Sequence, residues 1–159
     1  MSRSLGPHLP DPLFTRLVAP DRADRLGHVV VLTTVDPYGW PHPALISYAE
    51  LLALDSSRVR LALYAESRST RHLREAGRVT LVFADAELSL YVKAEAVALP
   101  PAPEHPRWAR FELAVKDVLE DHAEGEEAGA RLSGGITVDW PGGVEEAVRR
   151  HARLRAALE

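Results

Sequence analysis

Apolar and polar side chains alternate along much of the chain up to Leu99, and this period of two limits its possible folds more than any other feature. Successive side chains of a strand point to opposite faces of a sheet, so the pattern predicts strands with one buried face. The apolar positions of the three clearest runs are Val59, Leu61, Leu63 and Ala65; Val79, Leu81 and Phe83; and Leu88, Leu90, Val92, Ala94 and Ala96. Two more β-rich runs are joined by Asp36-Pro37-Tyr38-Gly39, which predicts a hairpin because proline presets the turn and glycine can take a positive φ. About six strands linked mostly by short turns predict an antiparallel sheet that closes into a barrel.

Helices are predicted at both ends of the chain. The stretch "DPLFTRLVAPDRADRL" predicts two short helical pieces, because a proline suits the first helical position and Pro20 interrupts the run. A helix is also predicted for "PRWARFELAVKDVLEDHAE", whose apolar residues at helical spacing are Trp108, Phe111, Val115, Val118 and Leu119. The last helix is predicted over "VEEAVRRHARLRAAL", with an apolar stripe of Val144, Val148, Leu154 and Leu158.

The proline-rich segment 99–106 separates the predicted barrel, about 26–99, from a predicted C-terminal helical extension, about 104–159. A single domain over 1–159 is expected from the length of 159 residues. Within the extension, "GGITVDW" is compatible with a short strand.

Composition narrows the classes of function. A net charge of −4 disfavours nucleic acid as a partner, and the absence of cysteine excludes disulfides and thiolate metal sites. No metal site is predicted, because none of the seven histidines belongs to a helical metal-binding motif. Neither a signal peptide nor a membrane-spanning stretch is evident, so a soluble cytoplasmic protein without membrane partners is expected.

One short segment reverses the sign of the charge. From Glu66 to Arg78 there are four arginines and two glutamates, and three hydroxyl side chains stand at its start. Ser67 can cap a short helix that Gly77 would end, so free backbone N–H groups, hydroxyls and arginines would meet at one helix terminus. The segment therefore predicts either a phosphate site or an ordinary capped helix with solvated arginines.

Three stretches together resemble the pyridoxamine 5′-phosphate oxidase-like, FMN-binding split barrels. They are "VVVLTTVDPYGWPHPALISY", "LYAESRSTRHLREAGRVTLVF" and "LSLYVKAEAVAL", and the resemblance covers about Leu26 to Leu99. It implies an antiparallel, Greek-key split β-barrel with six or seven strands and flanking helices, in the α+β class. In the family the second stretch commonly carries a Ser-x-Lys-Thr/Ala turn that grips the FMN phosphate.

The resemblance implies FMN as cofactor, a homodimer with sites at the subunit interface, and flavin-dependent electron or hydride transfer to a small molecule. The implied cofactor-binding residues are Leu45, Ile46, Ser47, Ser67, Arg68, Ser69, Thr70 and Arg71. Trp140 could stack on the partner's flavin, as in some relatives, but we expect it to be a core plug. Leu45 to Ser47 are equally compatible with simple barrel wall. No catalytic acid or base is implied.

Two departures from the family pattern matter. Ser69 stands where the phosphate-binding lysine is usual, so Arg68 or Arg71 would have to supply the charge. Ala44 and Ala49 stand about where pyridoxamine phosphate oxidases carry an arginine and a lysine, so that activity itself is not expected. A deazaflavin- or haem-binding barrel and a non-catalytic dimeric module are the alternatives.

Overall fold

The computed structural model describes residues 2–18 and 25–159. Its eight strands are β1 (Ser2–Gly6), β2 (Val29–Val35), β3 (Pro41–Ser47), β4 (Leu51–Ala53), β5 (Arg58–Tyr64), β6 (Arg78–Ala84), β7 (Ser89–Ala98) and β8 (Trp108–Asp121). Its α-helices are α1 (Asp11–Val18), α2 (Arg68–Ala76) and α3 (Gly143–Leu158). Within these ranges no helix has the length and apolar character needed to cross a bilayer.

The strands form one curled antiparallel sheet in the order β3-β2-β6-β7-β8-β5-β4, and β1 pairs with β8. The helices flank this sheet, which confirms the predicted split barrel, with one strand more than the six or seven expected. The predicted hairpin is β2 and β3, with Val29 opposite Ser47 and Val35 opposite Pro41. The predicted inward residues of β5 and β6 are buried: Val59, Leu61, Leu63, Val79, Leu81 and Phe83.

The helix predicted after the proline-rich segment is wrong, because those residues form β8 in the middle of the sheet, between β7 and β5. The first half of β8 buries every second residue: Ala109, Phe111, Leu113 and Val115. A β-bulge then skips Lys116, so that Val118 is the next buried residue instead of Asp117. The bulge leaves Phe111, Val115 and Val118 at spacings of four and three, which imitate a helix. The barrel therefore extends well beyond the predicted boundary at Leu99.

The C-terminal helix α3 is confirmed, but its predicted stripe is only half correct. Leu154 and Leu158 are buried, whereas Val144 is 69% exposed and Val148 is 48% exposed. The buried positions nearer the start of the helix are Ala147 and His151. Contact with the 3₁₀ turn Tyr48–Glu50 and with β4 and β5 decides which face is covered.

The segment before α3 forms an isolated bridge, Thr137 to His28, instead of the short strand considered from sequence. Two further backbone bonds tie it to the start of β2, from Val29 N to Ile136 O and from Val138 N to Gly27 O. At Gly27, which has a positive φ of 82°, a Cβ would meet the Val138 carbonyl oxygen at 2.8 Å. Glycine therefore permits this close approach.

Helix α1 confirms the first predicted N-terminal helical piece, and most of the second falls on residues 19–24, outside the described residues. Its Arg16 is buried and donates to Asp85 at 2.6 Å, to Glu87 and to the Tyr48 hydroxyl. Burial acts to raise the pKa of Asp85, but the bond from Arg16 and two backbone N–H groups hold that pKa below its ordinary value. The network ties α1 to the β6–β7 turn.

Removal of the Arg16 side chain by Arg16→Ala should lower the free energy of unfolding by up to about 3 kcal/mol, because it leaves the partly buried Asp85 carboxylate without its charged partner. The matched control is Arg3→Ala, which breaks the exposed pair with Glu120 and should cost less than about 1 kcal/mol. Urea denaturation of the three proteins measures both values. Equal losses in the two variants would contradict the interpretation.

Candidate functional site

The turn between β5 and α2 is built as the sequence predicts. Ser67 caps α2 by accepting from the backbone N–H of Thr70 at 3.1 Å, and Gly77 ends it in the left-handed conformation with φ of 62°. The first N–H groups of a helix have no intrahelical acceptor, so those of Arg68 and Ser69 remain available at this end. The helix start is therefore a source of donors.

The Thr70 hydroxyl locks this turn onto the preceding strand. It donates to the carbonyl oxygen of Tyr64 at 2.8 Å and accepts from the Ser67 hydroxyl at 3.0 Å. Thr70 is fully buried. The hydroxyl protons of Ser67 and Thr70 are therefore both used in hydrogen bonds within the protein. The direct contribution of Thr70 at this turn is structural, and its predicted contact with a cofactor stays a prediction.

A cavity of about 250 Å³ opens beside this turn, between β3, β5 and the segment that precedes α3. We call it the Trp140 cavity. Five of the eight predicted cofactor residues line it: Leu45, Ile46, Ser47, Ser67 and Ser69. Its other polar and aromatic lining residues are Glu50, Tyr64, Trp140 and Arg150. The structure thus brings together residues from two distant stretches of the sequence.

Trp140 and Arg150 form one side of the Trp140 cavity. The guanidinium carbon of Arg150 lies 5.0 Å from the centre of the Trp140 ring, and its Nη2 donates to the Tyr64 hydroxyl at 3.1 Å. The indole Nε1 of Trp140 is buried and has no hydrogen-bond partner among the described residues. Buried donors normally have an acceptor, so this N–H marks a place for a polar ligand atom.

Another part of the cavity wall comes from β3, an edge strand that pairs on one side only among the described strands. Strand β3 ends the sheet order, and its Pro41 and Pro43 face Val35 and Thr33 across the ladder. Proline has no N–H to donate to a ladder. Every second residue of β3, counted from Pro41, therefore directs its backbone N–H and carbonyl groups away from β2. Leu45 has the same parity, and its backbone N–H and carbonyl therefore lie on the open edge, beside the cavity.

Glu50 is a buried carboxylate in the same cavity. Its Oε2 accepts from the backbone N–H of Ser47 at 2.6 Å and from the Ser47 hydroxyl at 3.0 Å. Burial raises the pKa of Glu50 above its ordinary value, although the two bonds from Ser47 and the charge of Arg150 act to lower it. The sequence analysis missed Glu50 and Arg150, since no local pattern marks either residue.

Of the other three predicted residues, Thr70 lines neither cavity, and Arg68 and Arg71 line a second cavity of about 200 Å³. It lies between α2 and the β2–β3 turn, and we call it the His72 cavity. His72 is buried, its Nδ1 lies 3.1 Å from the Thr34 hydroxyl, and its ring meets that of His42 edge-on at 4.9 Å. The cavity therefore offers two arginines and two imidazoles, beside the carboxylate of Asp36, whose Oδ1 accepts from the backbone N–H groups of Tyr38 and Trp40.

The two cavities adjoin. On β3, Ala44 lines the Trp140 cavity and His42 lines the His72 cavity, and residues two apart on a strand are separated by about 6.8 Å. On α2, Arg68 stands between Ser67 and Ser69, which line the Trp140 cavity. The two cavities are therefore lined by neighbouring positions of β3 and of the start of α2.

A cavity of about 700 Å³ lies elsewhere, between the β6–β7 turn and the segment after β8. Its lining includes five carboxylates, Asp85, Glu87, Glu120, Asp121 and Glu127, and none of the predicted cofactor residues. Such a lining repels a phosphate ester, so its larger volume does not make it the better candidate for the predicted cofactor.

Comparison with known proteins places the chain in a family. The family model described as pyridoxamine 5′-phosphate oxidase matches residues 25–141. The chain belongs to this family. A relative in Bacillus subtilis strain 168, the uncharacterized protein YclD, is 32% identical over 116 residues, which span 72% of this chain and 75% of that protein. The family model reaches Trp140, beyond the stretch on which the sequence resemblance rested.

Solved structures share the fold of this family member. A candidate pyridoxamine 5′-phosphate oxidase of Lactobacillus delbrueckii has a TM-score of 0.57 at 18% identity, over 73% of this chain and 98% of that one. An FMN-binding protein of Syntrophomonas wolfei has a TM-score of 0.53 at 15% identity, over 72% and 89%. At such identities these likenesses concern the fold alone, which is that of a split barrel.

The raised pKa of Glu50 predicts how stability changes with pH. A carboxyl whose folded pKa exceeds its unfolded value binds more protons when folded, so the free energy of unfolding falls as pH rises above about 4.3. The variant Glu50→Gln keeps an acceptor for Ser47 and removes the titration. We expect the stability of Glu50→Gln relative to the unaltered protein to increase from about pH 4 to pH 7, measured by urea denaturation. A difference that does not change with pH would contradict this.

Proposed function

We propose that this protein binds FMN and transfers electrons or hydride to a small-molecule substrate. The observation that carries the proposal is that the predicted cofactor residues line two neighbouring cavities. The Trp140 cavity is aromatic and partly apolar, and the His72 cavity contains two arginines. FMN has the same two-part character, a planar ring joined by a ribityl chain to a dianionic phosphate.

The Trp140 cavity suits the flavin ring. Its donors are the orphaned indole N–H of Trp140 and the free backbone N–H of Leu45, which match the polar edge of the ring. The indole itself offers a stacking surface, and Arg150 holds it in place through the cation–π contact at 5.0 Å. Of the two interpretations of Trp140, the cavity favours the ligand-facing one over the core plug.

The His72 cavity suits the phosphate. Arg68 and Arg71 offer planar guanidinium groups that can each bind two phosphate oxygens, which compensates for the missing lysine at Ser69. His72 and His42 add imidazole groups beside them. The free N–H groups at the start of α2 lie between the two cavities and complete the set of donors.

When bound, FMN supplies the hydride and electron chemistry itself. The protein's own residues would position the ring, hold the phosphate and exclude water from the Trp140 cavity. Ala44 lines that cavity and Ala49 is buried, so neither provides the cation expected of a pyridoxamine phosphate oxidase. The proposed substrate is therefore a different small molecule.

FMN titration is the test of this function. FMN at about a hundredfold excess over its dissociation constant should raise the free energy of unfolding by about 2.7 kcal/mol, which calorimetry detects as a higher Tm. Absorption spectra of the purified protein separate the alternatives, because bound haem gives a Soret band and bound deazaflavin gives its own bands. No change of Tm with FMN would overturn the proposal.

Replacement of Arg71 tests whether its guanidinium contacts the FMN phosphate directly or contributes only to the positive charge of the helix. Arg71→Ala should weaken FMN binding by about 1.5 to 3 kcal/mol, because it removes a charged hydrogen-bond donor. Arg74→Ala is the matched control, since Arg74 is an exposed arginine of the same helix that lines neither cavity. Titration by flavin fluorescence gives the three dissociation constants. Equal effects of the two substitutions would remove Arg71 from the site.

We further propose a homodimer in which a second copy covers the Trp140 cavity. Its volume of about 250 Å³ is smaller than usual for a cofactor site, about 300 to 1,000 Å³, and it is open on one side. Apolar side chains remain exposed around it, with Leu45 60%, Ile136 48% and Val138 39% exposed. A partner that covers these residues would bury apolar area and enclose the ring.

Charge at this rim should disrupt the dimer. Ile136→Glu should shift the protein from dimer to monomer in sedimentation velocity and weaken FMN binding, because it places a carboxylate against the apolar partner surface. The control is Val97→Glu on β7, since Val97 is 65% exposed and lines neither cavity. A monomeric unaltered protein, or a dimer that survives Ile136→Glu, would contradict the prediction.

A further inference from the structure

A further cavity shares a wall with the Trp140 cavity. It has a volume of about 550 Å³ and is lined by Tyr64, Ala65, Glu66, Ser67, Pro106 and Arg107. We call it the Arg107 cavity. Tyr64 and Ser67 line both cavities, so a ligand here would lie next to the occupant of the Trp140 cavity. Its volume is within the usual range for small-molecule sites.

The shared wall is a fixed aromatic surface. Tyr64 and Trp108 are opposite each other on β5 and β8, and their rings stack with centres 4.4 Å apart. Guanidinium groups approach the Tyr64 ring from two residues, Arg107 at 6.0 Å and Arg150 at 5.9 Å. Trp108 covers one face of the Tyr64 ring, and the 40% of Tyr64 that remains exposed beside Arg107 is the aromatic surface that a ligand in this cavity can contact.

The polar groups of the Arg107 cavity match a nucleoside phosphate. Arg107 is exposed and forms no ion pair within the described residues, so its guanidinium is available to a phosphate. Glu66 is exposed on the other side of the cavity, and a carboxylate commonly accepts hydrogen bonds from ribose hydroxyls. Backbone pairing fixes the two sides relative to each other, since Ala65 N donates to Arg107 O at 2.9 Å.

We propose that the Arg107 cavity binds the nucleoside phosphate part of the dinucleotide that donates electrons to the flavin. The base would lie against Tyr64, the ribose against Glu66 and a phosphate against Arg107. The inference rests on the proposed function for the role of the ligand, whereas the site itself is defined by its own residues. It assigns the electron donor to a chemical class, the nucleotides.

The test is titration of the FMN-loaded protein with AMP, followed by calorimetry. AMP should bind without displacing FMN, and Arg107→Ala should weaken AMP binding at least about tenfold while FMN binding is unchanged. Glu66→Gln should also weaken AMP binding. The matched control is Arg78→Ala, an exposed arginine at the start of β6 that does not line the cavity and should leave AMP affinity unchanged.

The outcomes separate this inference from the proposed function. Absence of AMP binding, equal losses in Arg107→Ala and Arg78→Ala, or displacement of FMN by AMP would each overturn it. If the protein binds AMP with the same dependence on Arg107 but does not bind FMN, the nucleoside phosphate site stands and the flavin proposal fails. Folding of Arg107→Ala is checked by circular dichroism, and its backbone carbonyl still accepts from Ala65.

Discussion

The hydrogen bond from the Thr70 hydroxyl to the Tyr64 carbonyl, 2.8 Å long, fixes the turn on which the candidate site depends. Through it, the end of β5 and the start of α2 become one rigid unit. Ser67 is the cap of the helix and also a wall of two cavities, so its position sets the shape of both. A fully buried, fully bonded threonine achieves this without exposing any unsatisfied group.

Around that turn, different kinds of side chain line the two cavities. Ser67, the cap, and Ser69 line a cavity with aromatic and apolar residues, whereas Arg68 and Arg71, three positions apart on α2, line a cavity with two histidines and the β2–β3 turn. Arg68 and Arg71 line one cavity together with the carboxylate of Asp36, while five further carboxylates line a different part of the surface.

Local signals predicted much of the fold. Alternation located β5, β6 and β7, the Pro-Gly turn located the hairpin of β2 and β3, and the pair Ser67 and Gly77 located both ends of α2. Alternation did not predict β8, because its bulge skips one residue and shifts the alternation of buried positions. The spacing of its apolar residues then resembles that of a helix. No local signal reveals that this segment is held by strands on both sides.

The sequence by itself determined the strands with regular alternation, the caps of the short helix and the local concentration of positive charge, since each depends on residues a few positions apart. Only the tertiary structure decided that Trp140, Glu50 and Arg150 line one cavity with Ser69, and that Arg68 and Arg71 face another. The physical reason is that a helix or a strand directs neighbouring side chains to different faces, and the partner of each face is set by pairing between distant segments.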